Sequence, residues 1–108
     1  MTTPTDDNRD LITFFAVMRA REGREDELRD VLVTMTEASH NDEGYVNYDL
    51  HQGTEDPRVF CFYENWTTPE LQAKHAAAPH VEAFVSRMDD LLEGGADGLT
   101  LHRVQRIA

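Results

Sequence analysis

Two segments of this chain are apolar on both of their alternating faces, and this feature limits how the chain can fold. They are residues 11–18 (LITFFAVM) and residues 59–66 (VFCFYENW). Both are rich in β-branched and aromatic residues, which predicts buried strands. Because side chains alternate along a strand, Phe14 and Phe15 point to opposite faces of the sheet. A sheet with two such strands needs an apolar layer on each face.

The hydrophobic period along the chain changes in a regular order between strand and helix. From Glu25 the apolar spacing becomes i, i+3, i+4 and i+7, which predicts an amphipathic helix that Gly44 ends. Thr68 followed by Pro69 is typical of a helix start. The predicted elements are a strand (11–18), a helix (25–43), a hairpin (45–52 and 59–66), a short helix (69–78), a longer helix (81–92) and a strand (99–107).

This β-α-β-β-α-β order predicts an α+β fold, the ferredoxin-like split βαβ arrangement with a four-stranded antiparallel sheet. Both helices then lie on one face of the sheet, and the other face is left bare. An exposed apolar face of that size is rare on a monomer. Face-to-face packing of two sheets covers it and closes a dimeric α+β barrel, so a homodimer is predicted.

Length and charge restrict the domain organisation and the partners. The chain of 108 residues predicts a single domain over residues 11–108, preceded by a polar, disordered leader over residues 1–10. The formal net charge of −11 repels phosphate backbones and anionic lipids, so neither nucleic acid nor membrane is an expected partner. No secretory signal and no apolar run of bilayer length occurs, so a cytoplasmic location is expected.

Motifs for bound cofactors and metals are missing. Cys61 is the only cysteine, which excludes an intrachain disulfide and a thiolate metal cluster. His75 and His80 are five residues apart with Pro79 between them, which is neither the usual ligand spacing nor a shared helix face. There is no glycine-rich phosphate loop, no dinucleotide fingerprint and no nucleophile elbow. The sequence therefore predicts no metal site and no nucleotide cofactor.

Four residues are candidates for a pocket, although each also has an ordinary structural role. Trp66 ends the third strand, and a buried indole supplies packing area but needs a partner for its N–H. His75 lies on a partly apolar helix face, where a histidine is usually structural. Glu64 lies between apolar neighbours, so it either pairs with an arginine such as Arg103 or Arg106 or has a raised pKa. Tyr48 is a polar residue of the second strand that could line the same pocket.

A set of short motifs resembles the antibiotic biosynthesis monooxygenase family. The motifs are the glycine and acidic run of residues 23–28, Gly44-Tyr45-x-x-Tyr48-Asp49, Phe62-Tyr63-Glu64-Asn65-Trp66, and His75-x-x-x-Pro79-His80-x-x-x-Phe84. The resemblance covers residues 11–107. It implies a dimeric ferredoxin-like barrel with a pocket between sheet and helices in each subunit. It also implies that Trp66 and His75 occupy positions where family members place pocket residues.

The resemblance leads to one favoured function and two alternatives. Similar proteins include cofactor-independent monooxygenases that oxidise quinol- or anthrone-type aromatics with dioxygen. The prediction is such an enzyme, with His75 and Trp66 catalytic, with Tyr48, Glu64 and Phe84 lining the substrate pocket, and with no cofactor. A haem-degrading activity is disfavoured, because that branch uses an asparagine on a first strand that here has none. The alternatives are a non-catalytic small-molecule-binding or stress-response module and an isomerase acting on a phosphorylated metabolite.

Overall fold

A computed structural model describes residues 10–108, and the predicted order of elements is confirmed within them. Residues 1–9, most of the predicted leader, lie outside the described part. The strands are β1 (Ile12–Arg19), β2 (Tyr45–Gln52), β3 (Val59–Trp66) and β4 (Thr100–Val104). The helices are α1 (Glu25–Ser39), α2 (Pro69–Ala76), α3 (Pro79–Val85) and α4 (Met88–Leu91), and a 3₁₀ turn (Gly95–Gly98) leads into β4.

The four strands form one antiparallel sheet in the order β2-β3-β1-β4. This is the ferredoxin-like α+β topology that the sequence predicts. In the central pair, Phe14 lies opposite Glu64 and Phe15 lies opposite Tyr63, so the two phenylalanines lie on different faces. Between residues 10 and 108, no helix combines the length and hydrophobicity that a transmembrane segment requires.

The helices pack on one face of the sheet and create the buried core there. Met18, Phe60 and Phe62 of the two central strands contribute to this core, together with Leu28 and Leu32 of α1. The opposite face, here called the open face, carries Phe15 and Val17, whose exposed fractions are 46% and 41%. The layer that the sequence requires on this second face is therefore not supplied by the helices of the same chain.

Helix α1 ends five residues before Gly44, so the prediction that Gly44 ends this helix is wrong. Residues 40–44 instead form a tight turn, in which the Asp42 amide bonds to the Ser39 carbonyl and the Tyr45 amide bonds to the Asp42 carbonyl. Gly44 has a φ of +85° and completes the turn into β2. The same glycine is therefore needed, but as a turn residue that carries Asp42 towards α2.

The prediction of one helix over residues 81–92 is also wrong, because the chain bends after Val85. Ser86 bonds through its hydroxyl to the Ala83 carbonyl, and the helix resumes at Met88. Phe84 before the bend and Met88 after it are both buried. The helical spacing of apolar residues therefore continues across the bend, and the sequence gives no sign of it. The last strand is shorter than predicted, because its pairing with β1 ends where Val104 meets Thr13.

Two glycines with the same backbone strain allow a test of how tightly α2 presses on the 40–44 turn. Gly23 and Gly44 have φ angles of +81° and +85°, but only at Gly44 would a Cβ meet a neighbour, at 2.6 Å from the Leu71 Cβ. We expect Gly23→Ala to cost about 1 kcal/mol through backbone strain. Gly44→Ala should cost on the order of 3 kcal/mol because α2 must also move. Urea unfolding measures both, and equal losses would contradict the close packing.

Candidate functional site

Three rings meet on the helix-covered face, where β2, β3 and α2 come together. The imidazole of His75 stacks on the indole of Trp66 with ring centroids 4.3 Å apart and an interplanar angle of 30°. The phenol ring of Tyr48 approaches His75 edge-on at 5.0 Å and Trp66 at 6.1 Å. All three side chains are buried. The stacking fixes the orientation of His75 inside an apolar environment.

Glu64 is a buried carboxyl group beside this ring cluster. The indole N–H of Trp66 donates a hydrogen bond to Glu64 Oε1 at 2.9 Å. Burial raises the pKa of Glu64 to about 7, while the hydrogen bond from Trp66 acts in the opposite direction. Of the two alternatives that the sequence leaves for this residue, the raised pKa is the one that the structure supports. Burial and the nearby carboxylates also raise the pKa of the Tyr48 hydroxyl, which stays protonated.

A carboxylate joins two histidines at the edge of the ring cluster. One oxygen of Asp42, Oδ2, lies 2.8 Å from Nδ1 of His75 and 2.8 Å from Nε2 of His80. The His75 side chain is 5% exposed, whereas Asp42 and His80 are 19% and 22% exposed, so the group runs from the core to the surface. Burial lowers the pKa of His75, and the carboxylate of Asp42 opposes that change. The imidazole of His75 is therefore neutral at pH 7 and held by one nitrogen.

His75 and His80 share no helix face, as their spacing predicts, but the break between α2 and α3 brings their side chains together. Helix α2 ends at Ala76 and Pro79 opens α3, so the chain turns and brings His80 back beside His75. Asp42 lies 33 positions before His75 and reaches it from the 40–44 turn. Sequence reasoning missed Asp42, and the only available signal was an acid two residues before the glycine of a turn.

Surface clefts reach parts of this group but not all of it. A cleft of about 350 Å³ is lined by Asp42, Glu43, Lys74, His75 and residues 77–79. A neighbouring cleft of about 410 Å³ is lined by His80 and Phe84 among others. A larger cavity, about 580 Å³, lies on the open face, away from this cluster.

The structure thus brings four of the five predicted site residues together. Trp66, His75, Tyr48 and Glu64 form one buried cluster. Phe84 lies apart from their rings, beside His80 in the neighbouring cleft. Among these five, His75 is the residue that the 350 Å³ cleft reaches. A ligand in that cleft would contact His75 directly, whereas Trp66 would influence it only by supporting the His75 ring.

The sequence profile of the antibiotic biosynthesis monooxygenase family matches residues 11–87. The chain belongs to this family. The resemblance in the short motifs is therefore confirmed over most of the domain. A comparison with curated protein sequences found no match.

Solved structures with the same fold come from several organisms. Protein PA3566 from Pseudomonas aeruginosa is 24% identical with a TM-score of 0.83, and the match covers 91% of this chain and 95% of that one. Rv0793 from Mycobacterium tuberculosis is 16% identical with a TM-score of 0.80, covering 92% and 97%. An antibiotic biosynthesis monooxygenase is 18% identical with a TM-score of 0.80, covering 90% and 99%. At these identities, the likeness shows the fold.

The buried carboxyl of Glu64 generates a prediction about stability and pH. The folded state holds its proton more tightly than the unfolded chain, so the contribution of Glu64 to stability falls as the pH rises from its ordinary pKa to about 7. Glu64→Gln keeps an oxygen that accepts from Trp66 and cannot ionise. We expect this variant to be more stable than the wild type by about 2–3 kcal/mol near pH 8, with the difference vanishing near pH 4.

Urea unfolding across this pH range measures the effect, with Glu82→Gln as the control. Glu82 is exposed on α3, so its neutralisation should change stability little at any pH. A Glu64→Gln variant that is no more stable at high pH than at low pH would show that Glu64 ionises freely in the folded protein.

Proposed function

We propose that this protein oxidises a small electron-rich aromatic compound, of the quinol or anthrone type, with dioxygen. The observation that carries the proposal is the position of His75. Its ring is stacked on Trp66, hydrogen-bonded to Asp42, and reached by the 350 Å³ cleft. A base fixed in a largely apolar setting next to a cleft suits a reaction that begins with proton removal.

The contact with Asp42 determines which nitrogen of His75 can act as the base. When Nδ1 donates its proton to the carboxylate, Nε2 carries the free electron pair. The lowered pKa of His75 supports a neutral ring at pH 7, which is the form that accepts a proton. Asp42 then stabilises the imidazolium that forms, as an acidic partner of a catalytic histidine does elsewhere.

The chemistry balances with dioxygen as the only oxidant. Loss of a proton from an anthrone methylene, or from a quinol hydroxyl, gives an anion that can donate an electron to dioxygen. A quinol that passes two electrons and two protons to dioxygen becomes a quinone, and the dioxygen becomes hydrogen peroxide. For the anthrone, recombination forms a peroxide at the former methylene carbon. Loss of water then leaves a new carbonyl. The methylene thus loses two hydrogens and gains one oxygen, and the other oxygen atom leaves in water, so the scheme uses no metal or flavin.

The other cluster residues have supporting roles in this scheme. Trp66 stacks on the His75 ring, and Tyr48 contacts that ring edge-on. Glu64, whose pKa is raised to about 7, can exchange a proton near neutral pH. Phe84 offers an apolar wall in the adjacent cleft. These contacts support a dry environment for an anionic intermediate.

An isomerase acting on a phosphorylated metabolite has less support. The cleft at His75 contains the acids Asp42 and Glu43, and its one lysine, Lys74, lies 3.3 Å from Glu43. Arg19 and Arg87 are held in ion pairs with acidic side chains elsewhere. A phosphate would therefore meet an acidic rather than a basic cleft.

A binding module without catalysis remains the second candidate, and one observation favours it. Trp66 and Tyr48 are almost completely buried, so the ligand cleft touches only His75 of the ring cluster. In that case the cluster serves to stabilise the domain, and the cleft binds a small molecule without changing it.

A single substitution separates the two candidates. We expect His75→Gln to lower the rate of dithranol or menadiol oxidation under air by about 10²–10⁴-fold, because the base is lost, with ligand affinity largely retained. Glu82→Gln is the control, since Glu82 is exposed on α3 and lines neither of the two clefts at the cluster. Oxygen consumption measures the rate and circular dichroism checks the fold. A wild type that is no faster than the uncatalysed reaction would overturn the oxidation proposal.

We also propose that the open face packs against a second copy of this chain. Phe15 and Val17 are nearly half exposed at its centre, and Val104 is exposed beside them on β4. Phe15 already stacks on Tyr63 with ring centroids 5.1 Å apart, which forms a flat aromatic surface. Burying such a surface against its own copy supplies the second apolar layer that the sheet needs.

The dimer proposal predicts a position-specific effect of an added charge. Phe15→Glu should shift the protein from dimer to monomer, because a charge in the interface would be buried without a partner. Val85→Glu is the control, since Val85 is about as exposed but lies on the helix layer. Sedimentation at low micromolar concentration measures both. A wild type that sediments as a stable monomer would contradict the proposal.

A further inference from the structure

Three side chains converge at one end of the helix layer with the composition of a metal site. Asp42, His75 and His80 each offer one ligand atom, and these atoms lie within 4.8 Å of one another. We propose that Asp42, His75 and His80 form a binding site for a divalent transition-metal ion such as Zn²⁺. This inference goes beyond the oxidation reaction and does not rest on it. It differs from the expectation of no metal site, which rested on the single cysteine and on the spacing of His75 and His80.

The ligand types select the class of metal. Two imidazole nitrogens and one carboxylate oxygen suit Zn²⁺, Fe²⁺ and Co²⁺, whereas Mg²⁺ and Ca²⁺ prefer oxygen ligands alone. Three protein ligands with a further position open to water is the pattern of zinc sites that are not purely structural. The formal net charge of −11 also favours cations over anions near this surface.

The distances are compatible with a metal after a small adjustment. Asp42 Oδ2 lies 2.8 Å from both histidine nitrogens, a hydrogen-bond length. Tetrahedral Zn²⁺ with bonds of about 2.0–2.1 Å holds neighbouring ligand atoms about 3.3 Å apart. The oxygen must therefore withdraw from each nitrogen by about half an ångström, and the two nitrogens, which lie within 4.8 Å of each other, must take up the same separation of about 3.3 Å. The Asp42 and His80 side chains are partly exposed, so rotation about their own side-chain bonds can supply these shifts while the 40–44 turn stays in place.

The surroundings of the cluster supply the remaining features of a metal site. The stacking of His75 on Trp66 and the edge contact with Tyr48 fix the ring of the most buried ligand. One cleft is lined by Asp42 and His75 and another by His80, so an ion and its water can reach the cluster. Lys74 also lines the cleft at His75, but its positive charge is paired with Glu43 and so opposes a metal ion less.

A metal at this position changes the state of His75. Hydrogen bonds from two histidines to one carboxylate oxygen need a proton on each nitrogen, and a metal replaces both protons. Coordination through Nδ1 moves the proton of a neutral His75 ring to Nε2, which is the nitrogen that faces away from Asp42. Nε2 of His75 is therefore a hydrogen-bond acceptor in the metal-free protein and a hydrogen-bond donor in the metal-bound protein.

Metal titration of untagged protein, freed of metal by a chelator, tests the proposal. We expect isothermal titration calorimetry to detect one Zn²⁺ per chain, and Co²⁺ to give visible absorption typical of low-coordinate nitrogen and oxygen ligation. Mg²⁺ added in excess should displace neither ion. Binding to the wild type should also raise the melting temperature, because a ligand that binds only the folded state stabilises it.

Two ligand variants and one control locate the ion. His80→Gln and Asp42→Asn should each weaken Zn²⁺ binding by about tenfold or more, while His51→Gln, which also removes one histidine, should bind as the wild type does. His80→Gln changes a partly exposed side chain, so it keeps the test valid if Asp42→Asn fails to fold. Equal Zn²⁺ affinity in the wild type and His80→Gln, or absence of binding to folded wild type, would overturn the proposal. None of these readouts depends on oxidation.

Discussion

The helices of this protein cover only one face of its sheet, and the rest of the structure depends on that inequality. On the covered face, burial is nearly complete, so Trp66 can be fully buried and Glu64 can hold its proton near neutral pH. On the open face, Phe15 and Val17 keep close to half of their surface exposed. Consecutive residues of β1 point in opposite directions, so one faces the buried site and the next faces the open face, which is suited to association.

Burial on the helix-covered face shifts the pKa values of the polar groups that lie there. An exposed carboxyl at position 64 would ionise at its ordinary pKa, whereas burial raises that value to about 7. The pKa of His75 moves in the opposite direction for the same reason, since burial penalises whichever form is charged. Asp42 limits this change by accepting a hydrogen bond at 2.8 Å. The cluster is thus largely uncharged inside and has its carboxylate at the surface end.

The sequence predicts the fold well, because the sheet rests on local patterns. Strands β2 and β3 match their predicted bounds, since each alternates clearly and a turn-rich segment separates them. The bend between α3 and α4 could not be seen, because the apolar stripe continues across it from Phe84 to Met88. The candidate site was predicted in part, through Trp66 and His75 on neighbouring elements. Asp42 and His80 were missed because turns, rather than any periodic spacing, bring them to His75.

The 40–44 turn connects the packing of α2 to the chemistry of His75. Its glycine accepts the Thr67 amide at 2.9 Å through the Gly44 carbonyl, and the Leu71 side chain fills the space that a Cβ would need. The start of α2 and the turn are therefore held as one unit, and Asp42 lies in that turn while His75 lies one helical turn beyond Leu71. A shift of α2 moves His75 relative to Trp66, whereas a shift of the turn moves Asp42 relative to both histidines. The close packing at Gly44 limits both movements, so it helps to preserve the 2.8 Å contacts of Asp42 as well as the fold.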